Sequence, residues 1–149
     1  MIANELERNL LDRIPLSRAM AVRVRSATED AVQLFAPLEP NINHRDTVFG
    51  GSAAAVATLA AWSVIHVRLK GGQHARRIVI HRGTMHYERP ITAGFTATAP
   101  APDEAAWSRL LTALQRNRPA RIRVTARLEC EGARVGDFDG EFVVLPLAE

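Results

Sequence analysis

Two periodicities divide this chain. Over Asn4–Arg13, Leu6, Leu10 and Leu11 gather on one side of a helical wheel. Ile14-Pro15 stops that pattern, because proline lacks an N–H and crowds the turn before it. From Met20 to Arg25 the period falls to two, with Met20, Val22 and Val24 set against Arg23 and Arg25, which predicts a half-buried strand. Ala31–Leu38 predicts a second strand, and Thr28-Glu29-Asp30 between them suits a hairpin turn. Pro37 and Pro40 close this strand and open a polar loop. Gly51–Leu69 is then apolar on nearly every side, the pattern of a helix surrounded by protein, and Gly71-Gly72 ends it. Arg76–Tyr87 alternates again and is bent or ended by Arg89-Pro90, with Phe95–Ala99 as the next strand. Asp103 caps a helix that runs to Leu114, and Ala120–Glu131 and Arg134–Leu145 pair around a Glu131-Gly132 turn.

This order predicts an α+β domain over residues 1–149, a curved antiparallel sheet wrapped around one long central helix. The small side chains of Ala53–Ala61 let the sheet come close. One helix against one sheet leaves edges and an outer face, so self-association is expected.

Composition narrows the partners. At 149 residues the chain has room for one core, and 47% hydrophobic with only 5% aromatic residues makes that core one of small side chains. The formal charge is +3, but the arginines are scattered among acids, and only Arg116, Arg118, Arg121 and Arg123 cluster. Nucleic-acid binding would want a basic stripe with stacking aromatics between, so no nucleic-acid partner is expected. An acidic ligand such as a phosphorylated cofactor or an acidic carrier protein fits the diffuse charge better. Cys130 is the single cysteine, which excludes an intramolecular disulfide and suits a reducing cytoplasm. The first residues lack the basic and apolar regions of a signal peptide. Ala53–Leu69 is short for a span and carries Ser63, His66 and Arg68, so no membrane partner is expected either.

The chemistry concentrates in Asn41-Ile-Asn43-His44-Arg-Asp-Thr47-Val-Phe49-Gly50-Gly51-Ser52. A helix start presents unpaired N–H groups and the positive end of its dipole, and two glycines let a ligand reach that backbone. Such a place suits an oxygen that acquires negative charge, hence chemistry on a carbonyl. Ser52 is most simply a capping residue there. His44 and Asp46 are the nearest titratable groups. On the strand Arg76–Tyr87, strict alternation puts Thr84 with Arg82, His86, Ile78 and Ile80 on one face, and His81 and His86 on opposite faces. With His66 and His74, these histidines lack the spacing of a metal site, so no metal is expected.

At these residues the chain resembles a known family. The order of elements resembles the hot-dog fold, and the loop resembles the thioesterase-like domain often fused behind an acetyltransferase. The residues that carry the likeness are Ile14-Pro15-Leu16-Ser17 with Met20, the loop Asn41–Ser52, and Ala61-Trp62. Tyr87 with Arg89-Pro90-Ile91, Arg118-Pro-Ala-Arg121, and Phe138-Asp-Gly140-Glu-Phe142-Val143 complete it. The resemblance implies a homodimer or higher oligomer acting on an acyl thioester, with coenzyme A or phosphopantetheine as part of the substrate and no separate cofactor. It implies that Gly51 with Gly50 holds the carbonyl, that Asn43 orients water, and that Thr84 and His44 assist from a facing subunit. Phe49, Ser52, Thr58, Arg82 and Arg89 would surround the substrate. In the wider superfamily a histidine stands where this chain has Phe49, and an acid stands in the helix where it has Thr58. Gly51–Leu69 holds no carboxylate at all. The clamp for the carbonyl is therefore kept and the usual base is missing. Hydrolysis of acyl-CoA or acyl carrier protein leads, with decarboxylation of a malonyl-type thioester and non-catalytic acyl-thioester binding as alternatives.

Overall fold

Helix α3 (Gly50–Leu69) organises the rest, since Val56, Ala57, Ala60, Ala61, Val64 and Ile65 are all removed from solvent. Apolar surface on several sides of one helix can be buried only if other elements wrap it. The computed structural model describes residues 2–69 and 77–147. In it, one six-stranded antiparallel sheet has the order β1-β2-β4-β5-β6-β3. The strands are β1 (Arg23–Ala27), β2 (Ala31–Ala36), β3 (Arg77–Tyr87), β4 (Phe95–Pro100), β5 (Ala120–Cys130) and β6 (Ala133–Leu145). Helix α3 packs against every strand of this sheet except the edge strand β1, which α1 (Ile2–Arg13) covers instead. The α+β architecture of a sheet curved around one long helix is the expected one. By length and composition α3 would also pass for a bilayer span, and its burial inside the sheet accounts for its apolarity.

The sheet's inner face is made by alternation. Ile122, Val124, Ala126 and Leu128 of β5 and Phe138, Phe142 and Val144 of β6 point toward α3 and are buried. The β5–β6 turn passes through Glu131 (φ 51°) and Gly132 (φ 78°), a pair of left-handed residues that suits the twist of a tight hairpin. Helix α4 (Glu104–Gln115) packs on β5, and Asp103 caps it by accepting from the Ala106 N–H at 3.1 Å.

Two local readings are corrected and one is extended. Helix α1 stops at Arg13, before Ile14-Pro15, as expected, and Pro15 then opens a second short helix, α2 (Pro15–Ala19), at the first-turn position where its missing N–H costs nothing. Met20 and Val22 are buried as their alternation suggested, yet β1 begins only at Arg23, because Ala21 turns through φ 56°. The third concerns β3. A β-bulge inserts His81 between Ile80, opposite Phe142, and Arg82, opposite Glu141. Alternation therefore slips by one residue: Ile78 and Ile80 face α3, whereas Arg82, Thr84 and His86 lie on the outer face. His81 and His86, expected on opposite faces, both reach outer-face carboxylates, His81 Nε2 at 3.7 Å from Glu141 and His86 Nδ1 at 3.1 Å from Asp137. The expected helix terminator Gly71-Gly72, Arg76 and His74 lie outside the described residues.

Gly136 meets Tyr87 across β6–β3, and a Cβ there would stand 2.5 Å from the His86 carbonyl oxygen. Backbone cannot yield as a side chain can, so Gly136→Ala should lower unfolding free energy by about 1–3 kcal/mol, read by urea denaturation. Glu7 provides a pH-dependent tie between α1 and β1. Its burial alone would raise its pKa, but the Val24 N–H at 2.9 Å and the Arg23 guanidinium at 3.0 Å outweigh this and hold it below the usual carboxylate value. A folded-state value below the unfolded one stabilises above the unfolded pKa, and that stability is lost as pH falls through the folded value. Glu7→Gln should accordingly be less stable than the parent near neutrality, with the gap closing on acidification.

Candidate active site

The loop before α3 is built from two asparagines. Asn41 ends a 3-10 turn (Glu39–Asn41), is buried, and donates from Nδ2 to the carbonyls of Met20 at 3.0 Å and Pro37 at 2.8 Å. Its own carbonyl accepts the Phe49 N–H at 2.7 Å. Asn43 closes the loop from inside. Its backbone N–H donates to Thr47 O, its Oδ1 accepts from the Arg45 and Thr47 amides, and its Nδ2 donates to Thr47 Oγ1 at 2.9 Å and Val48 O at 3.4 Å. The side-chain amide thus has both donors and both acceptor sites engaged. Asp46 takes φ 62° within this turn, a conformation that aspartate accepts better than most residues. The Val48 N–H then donates to Ile91 O at 2.9 Å, which ties the loop to the segment after β3.

The Phe49 carbonyl starts the helix, accepting from Ser52 N–H at 2.9 Å and Ala53 N–H at 3.1 Å. The amides of Gly50 and Gly51 precede this first bonded turn and have no acceptor among the described residues. They stand at the positive end of a 20-residue helix. Neither glycine has positive φ, so the backbone conformation does not explain them. Space explains Gly51. A Cβ on Gly51 would sit 2.4 Å from Cε2 of the Phe49 ring, and one on Gly50 would sit 3.4 Å from Cζ and the hydroxyl of Tyr87. At Gly51 an aromatic ring stands where a side chain would be, while at Gly50 a Cβ would be in ordinary contact with the Tyr87 ring. Tyr87 also donates its hydroxyl to the Gly50 carbonyl at 2.7 Å.

Between the helix start and the end of β3 lies an open cavity of about 430 Å³. Val48, Ala53, Pro90 and Ile91 give it apolar walls, while Thr47, Gly50 and Tyr87 give polar ones. Glu88 and Arg89 complete its rim. Glu88 Oε1 lies 3.1 Å from Arg134 Nε, and Arg134 in turn grips Asp137 on the outer face of the sheet. Arg89 has no ion pair among the described residues.

Of the residues expected at the site, Gly50 and Arg89 line this cavity. Gly51 is exposed beside it, with the Phe49 ring against its Cα. Asn43 lies behind the wall, holding Thr47 and Val48 in place. His44 is exposed on the loop away from the cavity, and Ser52 is half-buried in the first helical turn. Thr58 lies two turns down α3, where its hydroxyl donates to Ala54 O at 2.8 Å. Arg82 and Thr84 are turned to the outer face by the bulge and do not share a face with the cavity. Two cavity residues bring polar groups to which sequence reasoning gave no role, the Tyr87 hydroxyl and the Glu88 carboxylate. The resemblance had marked Tyr87 without a role, and only the bulge decides that it faces α3.

The outer face itself is a lattice of ion pairs. Arg123 holds Asp139 through two nitrogens, at 2.8 Å and 2.6 Å, and these bonds bring the Asp139 carboxyl below its ordinary range. Arg134 and then His86 do the same for Asp137. These pairs are exposed and already mutually satisfied, so they add little stability and leave no reactive group free. Among the described residues, no three His, Cys, Asp or Glu side chains come together as metal ligands would.

Comparison with known proteins supplies the family and supports the fold. The family model described as "Putative thioesterase (yiiD_Cterm)" matches residues 3–146. A crystal structure of a "putative thioesterase" from Shewanella oneidensis is 30% identical, with a TM-score of 0.87, covering 97% of this chain and 98% of that one. A protein of unknown function from Chlorobaculum tepidum is 29% identical with a TM-score of 0.89, covering 98% of this chain and 95% of the other. A thioesterase from Haemophilus influenzae, 17% identical with a TM-score of 0.74 over 95% of this chain and 90% of its own, shares the fold. A match that runs from the first helix to the end of the last strand makes this chain a member of the yiiD C-terminal thioesterase family.

Proposed function

We propose that this protein hydrolyses acyl thioesters of coenzyme A or an acyl carrier protein. The observation that carries the reading is the cavity at the start of α3, lined by Gly50 and small apolar groups with Gly51 beside it, where the amides of both glycines have no acceptor among the described residues. A thioester carbonyl placed there gains hydrogen bonds that strengthen as water adds and its oxygen becomes an oxyanion. The C–S bond then breaks, the thiolate leaves and takes a proton, and the carboxylic acid is released. Arg89, free of ion pairs among the described residues, is available to a phosphate or an acidic carrier. Glu88 is the one carboxylate on the cavity wall, so hydrolysis requires it to leave Arg134 and take the proton of the attacking water.

That requirement also sustains a second reading. Decarboxylation of a malonyl-type thioester breaks a C–C bond, expels carbon dioxide and needs only a holder for the enolate oxygen. A carboxylate engaged by Arg134, and a helix without acids, favour this rival. Thiol release from a panel of acyl-CoAs and acyl carrier proteins tests the first reading. Turnover should fall about 100-fold or more in Glu88→Gln. Carbon dioxide release with the thioester intact, unchanged in Glu88→Gln, would replace hydrolysis by decarboxylation. Tight binding with neither product would make the protein a non-catalytic acyl-thioester module.

We also propose that the protein works as a homodimer joined along β3, in the cytoplasm, where a buried free thiol such as Cys130 stays reduced. The 11-residue β3 is the long edge of the sheet, and Val79 and Ile80 are each 45% exposed on it. A long apolar edge strand is a template for pairing with another strand, and a second copy offers one of matching length. Sedimentation equilibrium should give the dimer mass, and Ile80→Asp should give the monomer at micromolar concentration.

A further inference from the structure

We propose that Tyr87 is a positioning residue that aims and strengthens the Gly51 amide as an oxyanion donor, an inference that rests on the acyl-thioester reading of the site. The argument begins with the peptide unit between Gly50 and Gly51. A trans peptide is planar, so the carbonyl of Gly50 and the N–H of Gly51 point in opposite directions and cannot move independently. Whatever fixes the carbonyl fixes the donor. Tyr87 does this with a short hydrogen bond, its hydroxyl 2.7 Å from Gly50 O. A carbonyl oxygen has two lone pairs, so it can serve this hydroxyl and the helix ladder together. A donor on the oxygen draws electron density through the amide toward that oxygen, leaving the N–H more positive and a better donor on its other side.

The fold is arranged to deliver this hydroxyl. The bulge at His81 rotates the second half of β3 so that Tyr87 faces α3, where strict alternation would have turned it to the outer face. Gly136, opposite Tyr87, lets β6 come close to the backbone at His86, and the Tyr87 ring packs against the Cα side of Gly50, 3.4 Å from where a Cβ would stand. Tyr87 is still 55% exposed. Its hydrogen bond is therefore made in reach of solvent and substrate, and the ring is not simply a piece of core. The register slip is what brings the hydroxyl to this contact.

The test is Tyr87→Phe, which keeps the ring against Gly50 and removes only the hydroxyl. For the active parent, kcat on its best acyl thioester should fall about tenfold with KM little changed, less than the roughly 100-fold loss of an oxyanion donor itself. Thermal midpoint and dimer mass should stay at parental values. A second readout does not depend on turnover: the Gly51 amide proton in a two-dimensional ¹H–¹⁵N spectrum should move upfield in Tyr87→Phe. An unmoved Gly51 resonance, or a kcat equal to that of an active parent, overturns the proposal. If the parent has no activity on any thioester, the acyl-thioester reading fails alone, and the Gly51 resonance still decides whether Tyr87 polarises that peptide.

Discussion

The structure depends on one constraint, the burial of a helix that has almost no polar side. Helix α3 gains its stability from being enclosed, and enclosure dictates the rest: a sheet curved enough to wrap it, small residues where strands approach, and antiparallel order throughout. A fully wrapped helix has free backbone groups only at its ends. The start of α3 is thus the natural place where a protein with so apolar a centre can present strong hydrogen-bond donors to a ligand. Site and core are two aspects of the same packing solution.

What distinguishes this start from that of any other helix is the way the chain holds it. Asn41 ties the loop to the carbonyls of Met20 and Pro37, Val48 ties it to Ile91, and Tyr87 ties Gly50 to the end of β3. Three separate stretches of sequence, at Met20, along the loop itself and from Tyr87 to Ile91, therefore meet before and at the helix start. Preorganisation of this kind is what makes amide donors useful, because they need not reorient as charge develops. Gly51 has a different purpose from the one the glycine spacing suggests. It makes room for the ring of Phe49, so the space beside it belongs to the protein's own aromatic side chain.

Much of the fold was legible because it follows from periodicity. The all-round apolar run of α3, the alternation in β5 and β6, the Asp103 cap and the Glu131-Gly132 turn each have a local cause that the residues display. The errors have local causes of another kind. Pro15 stops one helix and starts the next, of which only the stop was read, and an alanine at φ 56° cannot be foreseen from Met20-Ala21-Val22. The site was legible at the helix start and in Arg89, since a resemblance in motif carries position along the chain. It was not legible at Thr84, Arg82 or Tyr87, because the side a strand residue faces depends on counting, and one uncounted residue reverses it. Glu88 follows the end of β3 and carries no pattern, so only the cavity picks it out.

That extra residue makes β3 behave like a reading frame. Before His81 the frame is set by the core, which takes up Ile78; after it the frame is set by Tyr87 reaching the helix start. Straightening the bulge with every residue kept would leave the strand's composition and length intact. It would nevertheless exchange the two faces of everything downstream, presenting Arg82, Thr84 and His86 to the helix and Tyr87 to solvent. Deleting His81 itself would instead give plain alternation with the present faces kept, so it is the bulge, and no amino acid replacement, that decides which side chains the strand turns to the helix.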